Sequence, residues 1–277
     1  MAIISKCLFP VAGYGTRFLP VTKSIPKEML PILAKPLIQY GVEEAMSAGI
    51  YAIAMVTSKH KGAIKEYFQP HPEIEASVAG TSKQSSLIEI NNAIAKCEFN
   101  YIQQPQQQGL GHAIYTGQPL IGNESFAVIL PDDLCINDGA SVLEQMCELH
   151  QQHPDCCIVA IEEVPIDEVN KYGIIDGELL GNSNTVYRVD NMLEKPTPQD
   201  APTNLAIIGR YILTAEIFTV LAKTKADNKG EIQITDALMT LAKTGKVIAY
   251  KFQGRRFDCG SVKGFIAANT ILAKENM

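Results

Sequence analysis

The stretch FPVAGYGTRFLPVTKSIPKEMLP, Phe9 to Pro31, sets Arg17 and Lys27 in one loop with glycines at Gly13 and Gly15. Glycine lets the backbone approach a ligand and turn where a Cβ would clash, while a guanidinium and an ammonium offer strong donors to anionic oxygens. That is the chemistry of an anion site, although the same glycines also suit a plain strand-to-helix turn. A second polar group, Pro131, Asp132 and Asp133, closes the apolar run SFAVIL. A carboxylate beside a phosphate repels it unless a divalent cation lies between them, so loop and carboxylates together suggest Mg²⁺ and a polyphosphate. Asp132 taken alone also suits a helix or turn cap.

Two further stretches can carry function. QQPQQQGLGHA, Gln103 to Ala113, ends a strand with amide side chains and places Gly-Leu-Gly at a helix start. Glutamine can hydrogen-bond a base edge, and glycine leaves room for a flat ring; a glutamine-rich turn is the plainer alternative. LEKP, Leu193 to Pro196, sets a carboxylate beside an ammonium, suited to a sugar hydroxyl and a phosphate or simply to a solvated turn. GYGTRF has Phe18 where a dinucleotide fingerprint needs its third glycine, and no G-x-x-x-x-G-K-[ST], G-x-S-x-G or H-E-x-x-H is present. His150 and His153, one helical turn apart, are expected to face solvent rather than a metal. With no evident nucleophile, direct transfer between two bound substrates is the simpler mechanism.

These residues need a scaffold that brings strand ends together. Apolar runs recur at Ile3 to Val11, Ile50 to Val56, Phe99 to Ile102, Phe126 to Leu130 and Cys156 to Ile161, with helical spacing between them, as at Leu37, Ile38, Tyr40, Val42, Ala45 and Met46. Strands apolar on both faces and linked by helices predict an α/β fold: an open, mostly parallel, doubly wound sheet covered on each side. Such sheets bind ligands outside the carboxyl ends of their strands, where the loop and the aspartates fall. From about residue 164 longer strands predict a β-rich lobe on the same sheet, followed by helices, a strand VIAYKF and a last helix from Val262 to Ala273. The stretch Gln69 to Gln84, rich in Ser, Thr and Pro, reads as a mobile surface loop.

Length and composition set limits. A chain of 277 residues, 46% hydrophobic and 19% charged, is long enough for one large domain or two small ones, with a sizeable core expected. A net charge of -6 without basic blocks offers nucleic acid or an anionic membrane no attraction, so an anionic ligand needs a local site. Nowhere do eighteen apolar residues run together, and no export signal opens the chain. Seven scattered cysteines, with only Cys156 and Cys157 adjacent, form neither a disulfide framework nor a C-x-x-C motif, which fits reduced thiols in a cytoplasm.

In order along the chain, PVAGYGTRFLP, PKEMLPILAKPLIQYGVEEA, QGLGHA, VILPDD, YGIID, EKP, NLAIIGRYIL, EIQITDA and DCGS resemble the sugar nucleotidyltransferases, most closely their bacterial UTP:glucose-1-phosphate uridylyltransferases. The resemblance implies a Rossmann-like nucleotidyltransferase fold as a single domain 1–277, its nucleotide-binding part about 1–163 and its sugar-binding part about 164–277. It implies a cytoplasmic, Mg²⁺-dependent enzyme, a dimer or tetramer, that joins UTP and glucose 1-phosphate into UDP-glucose and pyrophosphate. By motif, Ala12 and Gly13 would contact the nucleotide through backbone, Arg17 and Lys27 would neutralise the triphosphate, and Gln104 and Gly109 would read the uracil. Asp132 would hold Mg²⁺ with Asp258 assisting; Gly173 and Glu194 would bind glucose hydroxyls and Lys195 its phosphate. Alternatives are another nucleotide and sugar pair, dTTP or N-acetylglucosamine 1-phosphate, or a non-catalytic nucleotide-sugar sensor, against which the intact set of Arg17, Lys27, Asp132 and Lys195 speaks.

Overall fold

A computed structural model describes residues 4–275. Ile3, the first residue of the opening apolar run, lies outside them. The strands are β1 (Lys6–Pro10), β2 (Pro31–Ile32), β3 (Lys35–Pro36), β4 (Ala52–Thr57), β5 (Glu98–Gln103), β6 (Phe126–Ile129), β7 (Asp133–Ile136), β8 (Cys157–Glu163), β9 (Gly173–Leu179), β10 (Val186–Glu194), β11 (Leu205–Leu213), β12 (Val247–Lys251) and β13 (Arg255–Asp258). Nine of them form one sheet in the order β5-β4-β1-β6-β11-β8-β12-β10-β9. β1 runs parallel to β4 and β6, β4 to β5 and β12 to β8, whereas β11 and β10 are antiparallel to their neighbours. Seven of the nine strands thus point the same way, with β10 and β11 reversed, which gives the mostly parallel but mixed sheet that the apolar strands predict.

Alternation along these strands builds two cores. Leu8, Val56, Phe126 and Val128 pack on one face with helices Gly109–Thr116, Glu216–Leu221 and Ile234–Ala242. Cys7, Phe9, Met55, Ala127 and Ile129 pack on the other with helices Leu37–Ser47, Gly62–Tyr67, Ile88–Lys96 and Val142–Gln152. Period-two burial on both faces is what forces a helical layer on each side. The order reverses at β1, whose neighbours are β4 on one side and β6 on the other, so a crevice opens where the glycine loop and Asp132 emerge.

The later strands do not form a separate body. β11, buried at all nine positions, lies in the middle of the sheet, and β9 pairs with β10 and also with β11 at Ala206↔Ile174, so the β-rich part folds back onto the shared sheet. A short antiparallel ribbon, β7 with β13, crosses from the Asp132 corner and pairs Asp133 with Asp258.

Two expectations are corrected. Gln69 to Gln84 is not an irregular loop, because Pro72 opens a helix, Pro72–Val78, with Glu73 and Glu75 in its first turn, and a 3₁₀ turn, Ser82–Leu87, follows. His150 does not face solvent. Ser141 and Glu144 cap the helix Val142–Gln152 reciprocally, and that start turns Val142, Met146, Leu149 and His150 inward, leaving His150 fully buried.

Beneath the crevice, the buried Arg210 on β11 donates to Glu44 through Nε at 3.0 Å and Nη2 at 2.7 Å, while its Nη1 reaches the Gly209 carbonyl at 2.9 Å. Glu44 also accepts the Leu143 N–H at 3.1 Å, so one ion pair joins two helices to the sheet. Arg210→Met strands a buried carboxylate and is expected to lower unfolding free energy by about 3–5 kcal/mol, much of it regained with Glu44→Met. Denaturant titration checks this; a double variant no more stable than the single one contradicts it. Burial, only partly offset by the Cys156 backbone and Asp155, holds the His150 pKa below its ordinary 6.5. The unfolded chain then binds the extra proton, so stability is fully present above about pH 6.5 and declines as pH falls through that value. His150→Gln should flatten the decline in thermal melts from pH 7 to 5.

Candidate active site

The first strand hands its chain to the glycine loop, after a last parallel bond from the Val11 N–H to the Val56 carbonyl at 2.8 Å. Gly15 takes the left-handed conformation, φ +67°, with Thr22 and Lys27 packed where a side chain would go, and the Thr22 hydroxyl donates to its carbonyl at 2.8 Å. Gly13 has open space where a Cβ would stand, so packing does not require a glycine there. Three 3₁₀ turns, Thr16–Phe18, Val21–Lys23 and Lys27–Met29, then curl the loop back and aim Arg17 and Lys27 at the end of β6.

Lys27 Nζ lies 2.6 Å from Asp132 Oδ2. Burial opposes charge on both, but each outweighs it for the other, raising the Lys27 pKa and lowering that of Asp132. Behind Lys27, the enclosed Glu28 pairs with Lys61 at 2.6 Å. Arg17 Nη1 donates to the Gly260 carbonyl at 3.0 Å, and the Gly260 N–H donates to Asp258 Oδ1 at 3.1 Å. A Cβ on Gly260 would meet Asp132 Oδ2 at 2.8 Å, Asp258 Oδ1 at 3.1 Å and Arg17 Nη1 at 3.2 Å, so three charged groups surround that one point. Asp258 has its pKa raised, by burial first and then by Asp133, with Arg256 opposing. Among the described residues no cluster of three His, Cys, Asp or Glu forms a self-contained metal cage. Two carboxylates facing one point fit Mg²⁺, which takes one or two carboxylates and completes its shell with water and phosphate oxygens.

These groups open onto a cavity of about 670 Å³ whose opposite wall carries Tyr172, Gly173, Glu194, Lys195 and Thr235. Lys195 Nζ lies 3.0 Å from Glu194 Oε1, and the Thr235 hydroxyl donates to Glu194 Oε2 at 2.6 Å. Gly173 is required by contact, since a Cβ would come within 3.1 Å of the Thr235 hydroxyl and 3.3 Å of Glu194 Oε2. Thr235 went unassigned from sequence although it stands in EIQITDA; its partner lies too far along the chain for spacing to reveal.

The glutamine segment is packed into the fold. Gln104 is buried, with its amide nitrogen 2.8 Å from His112 Nδ1. Gly109, at φ +90°, packs against Glu231 and Ile232, while the Ile232 N–H donates to the Gln108 carbonyl at 2.8 Å and the Ile232 carbonyl accepts from Gly111. Chain crossing therefore leaves no room for a side chain at Gly109. Arg17, Gly109, Asp132, Gly173, Glu194, Lys195 and Asp258 line the one cavity; Ala12, Gly13, Lys27 and Gln104 do not, and Lys27 reaches its edge through Asp132.

A model of the family described as nucleotidyl transferase matches residues 10–275. The chain is 54% identical over 276 residues to a UTP–glucose-1-phosphate uridylyltransferase of Pseudomonas aeruginosa, covering 99% of this chain and 98% of that protein. It superposes on an apo UDP-glucose pyrophosphorylase with a TM-score of 0.96 at 57% identity, and on one complexed with UDP-glucose with 0.90 at 56%, each covering 99% of this chain and 100% of the other.

Gly260→Ala forces a methyl among Asp132, Asp258 and Arg17, an overpacking of about 1–3 kcal/mol that the carboxylates must absorb by moving. Catalytic turnover is expected to fall more than about tenfold with the melting temperature lowered by only a few degrees. Steady-state kinetics with thermal denaturation of the same sample checks this, and unaltered turnover contradicts the convergence of these groups on one reacting centre.

Proposed function

The chain belongs to the nucleotidyl transferase family, and from that premise we propose that it transfers the uridylyl group of UTP to glucose 1-phosphate, releasing pyrophosphate and forming UDP-glucose. The observation that carries this is a single cavity joining the Arg17 loop and the Asp132–Asp258 pair to the Glu194–Lys195 pair. Cationic donors for a triphosphate thus face a grip for a sugar phosphate.

An oxygen of the sugar phosphate attacks the α-phosphorus of UTP; the new P–O bond forms as the bond to the β-phosphate breaks, and pyrophosphate leaves with the electron pair. No protein nucleophile is needed, so catalysis consists of positioning and charge neutralisation. Lys195 holds the attacking phosphate against the repulsion of the triphosphate, while Glu194, fixed by Thr235, and the Gly173 backbone take sugar hydroxyls. Arg17 and Lys27 offset charge gathering on the leaving pyrophosphate. Ala12 and Gly13 offer backbone to the nucleotide, and Gln104 and Gly109 stand on its base side. Asp132 and Asp258 would hold Mg²⁺, which supplies Lewis-acid neutralisation of phosphate oxygens.

The site draws Arg17, Lys27, Gln104 and Asp132 from a nucleotide part, about 1–163, and Gly173, Glu194, Lys195 and Asp258 from a sugar part, about 164–277. A cytoplasmic location is supported by seven unpaired cysteines. No helix among the described residues is long and apolar enough to cross a membrane. A homo-oligomer is supported by exposed Leu19, Ile25, Val262 and Ile266, on a loop and a helix joined by the Phe18–Phe265 ring contact.

Pyrophosphate release from UTP and glucose 1-phosphate, with and without Mg²⁺ and with dTTP in parallel, tests the proposal. Metal-dependent release preferring UTP is the expected result, and none with either nucleotide rejects it. Asp132→Asn should lower turnover about 10²–10³-fold in a folded protein. Lys195→Ala should raise the KM for glucose 1-phosphate about tenfold or more and that for UTP little. Equal rises would remove Lys195 from the sugar-phosphate site.

A further inference from the structure

Arg256 takes no part in the chemistry above, yet it is nearly enclosed and touches three elements of the site. It stands two residues before Asp258 on β13, on the same face of the strand. Its Nη1 donates to Asp133 Oδ1 at 2.5 Å, its Nε to Glu162 Oε1 at 2.5 Å and its Nη2 to the Tyr172 hydroxyl at 3.1 Å. The guanidinium also lies over the Tyr172 ring, 5.1 Å from its centroid. A planar fork of five donors serves three acceptors arriving from β7, β8 and the turn before β9; the compact ammonium of a lysine has no such fork.

Two of the three acceptors, Asp133 and Tyr172, line the cavity. Asp133 pairs in register with Asp258 and accepts the Gly209 N–H at 2.7 Å, which ties the carboxylate corner to β11. Tyr172 leads to the sugar side, because its carbonyl accepts the Lys195 N–H at 2.9 Å. Lys195 itself is held at φ +48°, a left-handed conformation that a side-chain-bearing residue keeps only where its surroundings over-determine it. The lysine at the cavity wall is therefore set by its backbone, and its backbone by Tyr172.

We infer that Arg256 is a positioning residue for Lys195: by gripping Tyr172 from the carboxylate ribbon, it fixes the sugar-phosphate lysine relative to Asp132 and Asp258. This rests on the proposed function in taking Lys195 as the phosphate ligand. Arg256 thereby couples the metal-binding corner to sugar-phosphate binding while leaving the nucleotide loop alone.

Arg256→Lys keeps the charge and loses the fork, and Tyr172→Phe removes one hydroxyl. The test is amide hydrogen exchange at Lys195 together with KM for each substrate, in both single variants and the double. Expected are exchange about tenfold faster at Lys195, with β1 and β4 unchanged, and a KM for glucose 1-phosphate raised about tenfold while that for UTP moves less than about twofold. The double variant should be no worse than Arg256→Lys, since both break one linkage. Unchanged exchange at Lys195, equal rises in both KM values, or additive losses would overturn the inference. If Arg256→Lys fails to fold, Tyr172→Phe carries the test alone. Absence of any turnover by the parent protein would strike the proposed function instead, and the exchange comparison, which needs no substrate, would still decide the coupling.

Discussion

Three aspartates, Asp132, Asp133 and Asp258, are gathered at one corner of the sheet, and their mutual repulsion is the constraint that shapes everything around them. Like charges a few ångströms apart at partial burial cost several kcal/mol at an effective dielectric near 20, unless each meets its own cation. The fold supplies those cations from three directions. Lys27 comes from the glycine loop to Asp132, Arg256 from β13 to Asp133, and Arg17 lies beside Asp258 through the Gly260 backbone. Asp258 is the least compensated, and its raised pKa records that.

Holding such a corner still demands stiffness below it. Arg210, paired with Glu44, also donates through Nη1 to the Leu130 carbonyl at 3.3 Å, two residues before Asp132. Gly209 on β11 is squeezed between Leu130 and Asp133, where a Cβ would sit 2.6 Å and 2.7 Å from their side chains. The middle of β11 thus acts as a template against which the Asp132 turn is pressed. β11 is antiparallel to β6, β8 and β9, with an irregularity between Ile207 and Tyr211 on the β8 side, so it ties β6 and β8 to β9. One continuous sheet therefore sets the distance across the cavity.

Glycine has three distinct roles around the site. At Gly13 it leaves a surface open; at Gly109 and Gly173 it lets other protein atoms come close; at Gly260 it keeps a methyl out of a ring of charges. All four look alike in a sequence. Only the neighbours, contributed by distant segments, separate a ligand-facing glycine from one that serves packing.

The sequence by itself determined the local character of the chain. Apolar runs such as LFPV, AIAMV and FAVIL could be buried only as strands covered on both faces, and the cationic glycine loop and the terminal aspartates named the chemistry. Periodicity and propensity act over a few residues, and that is why the strands, the glycine loop around Arg17 and the turn at Asp132 were legible. Tertiary structure decided which of these groups meet. The ribbon of β7 with β13 has strands of four residues and no periodic signature, so the approach of Asp258 to Asp132 was visible in sequence only through likeness to a family. His150 looked like a surface residue because its helix shows few apolar neighbours, and a capping box fixed the rotation that buried it. Thr235, Tyr172 and Arg256 carried no signal of their own, since each acts through partners distant in sequence that only long-range strand register brings within hydrogen-bonding distance.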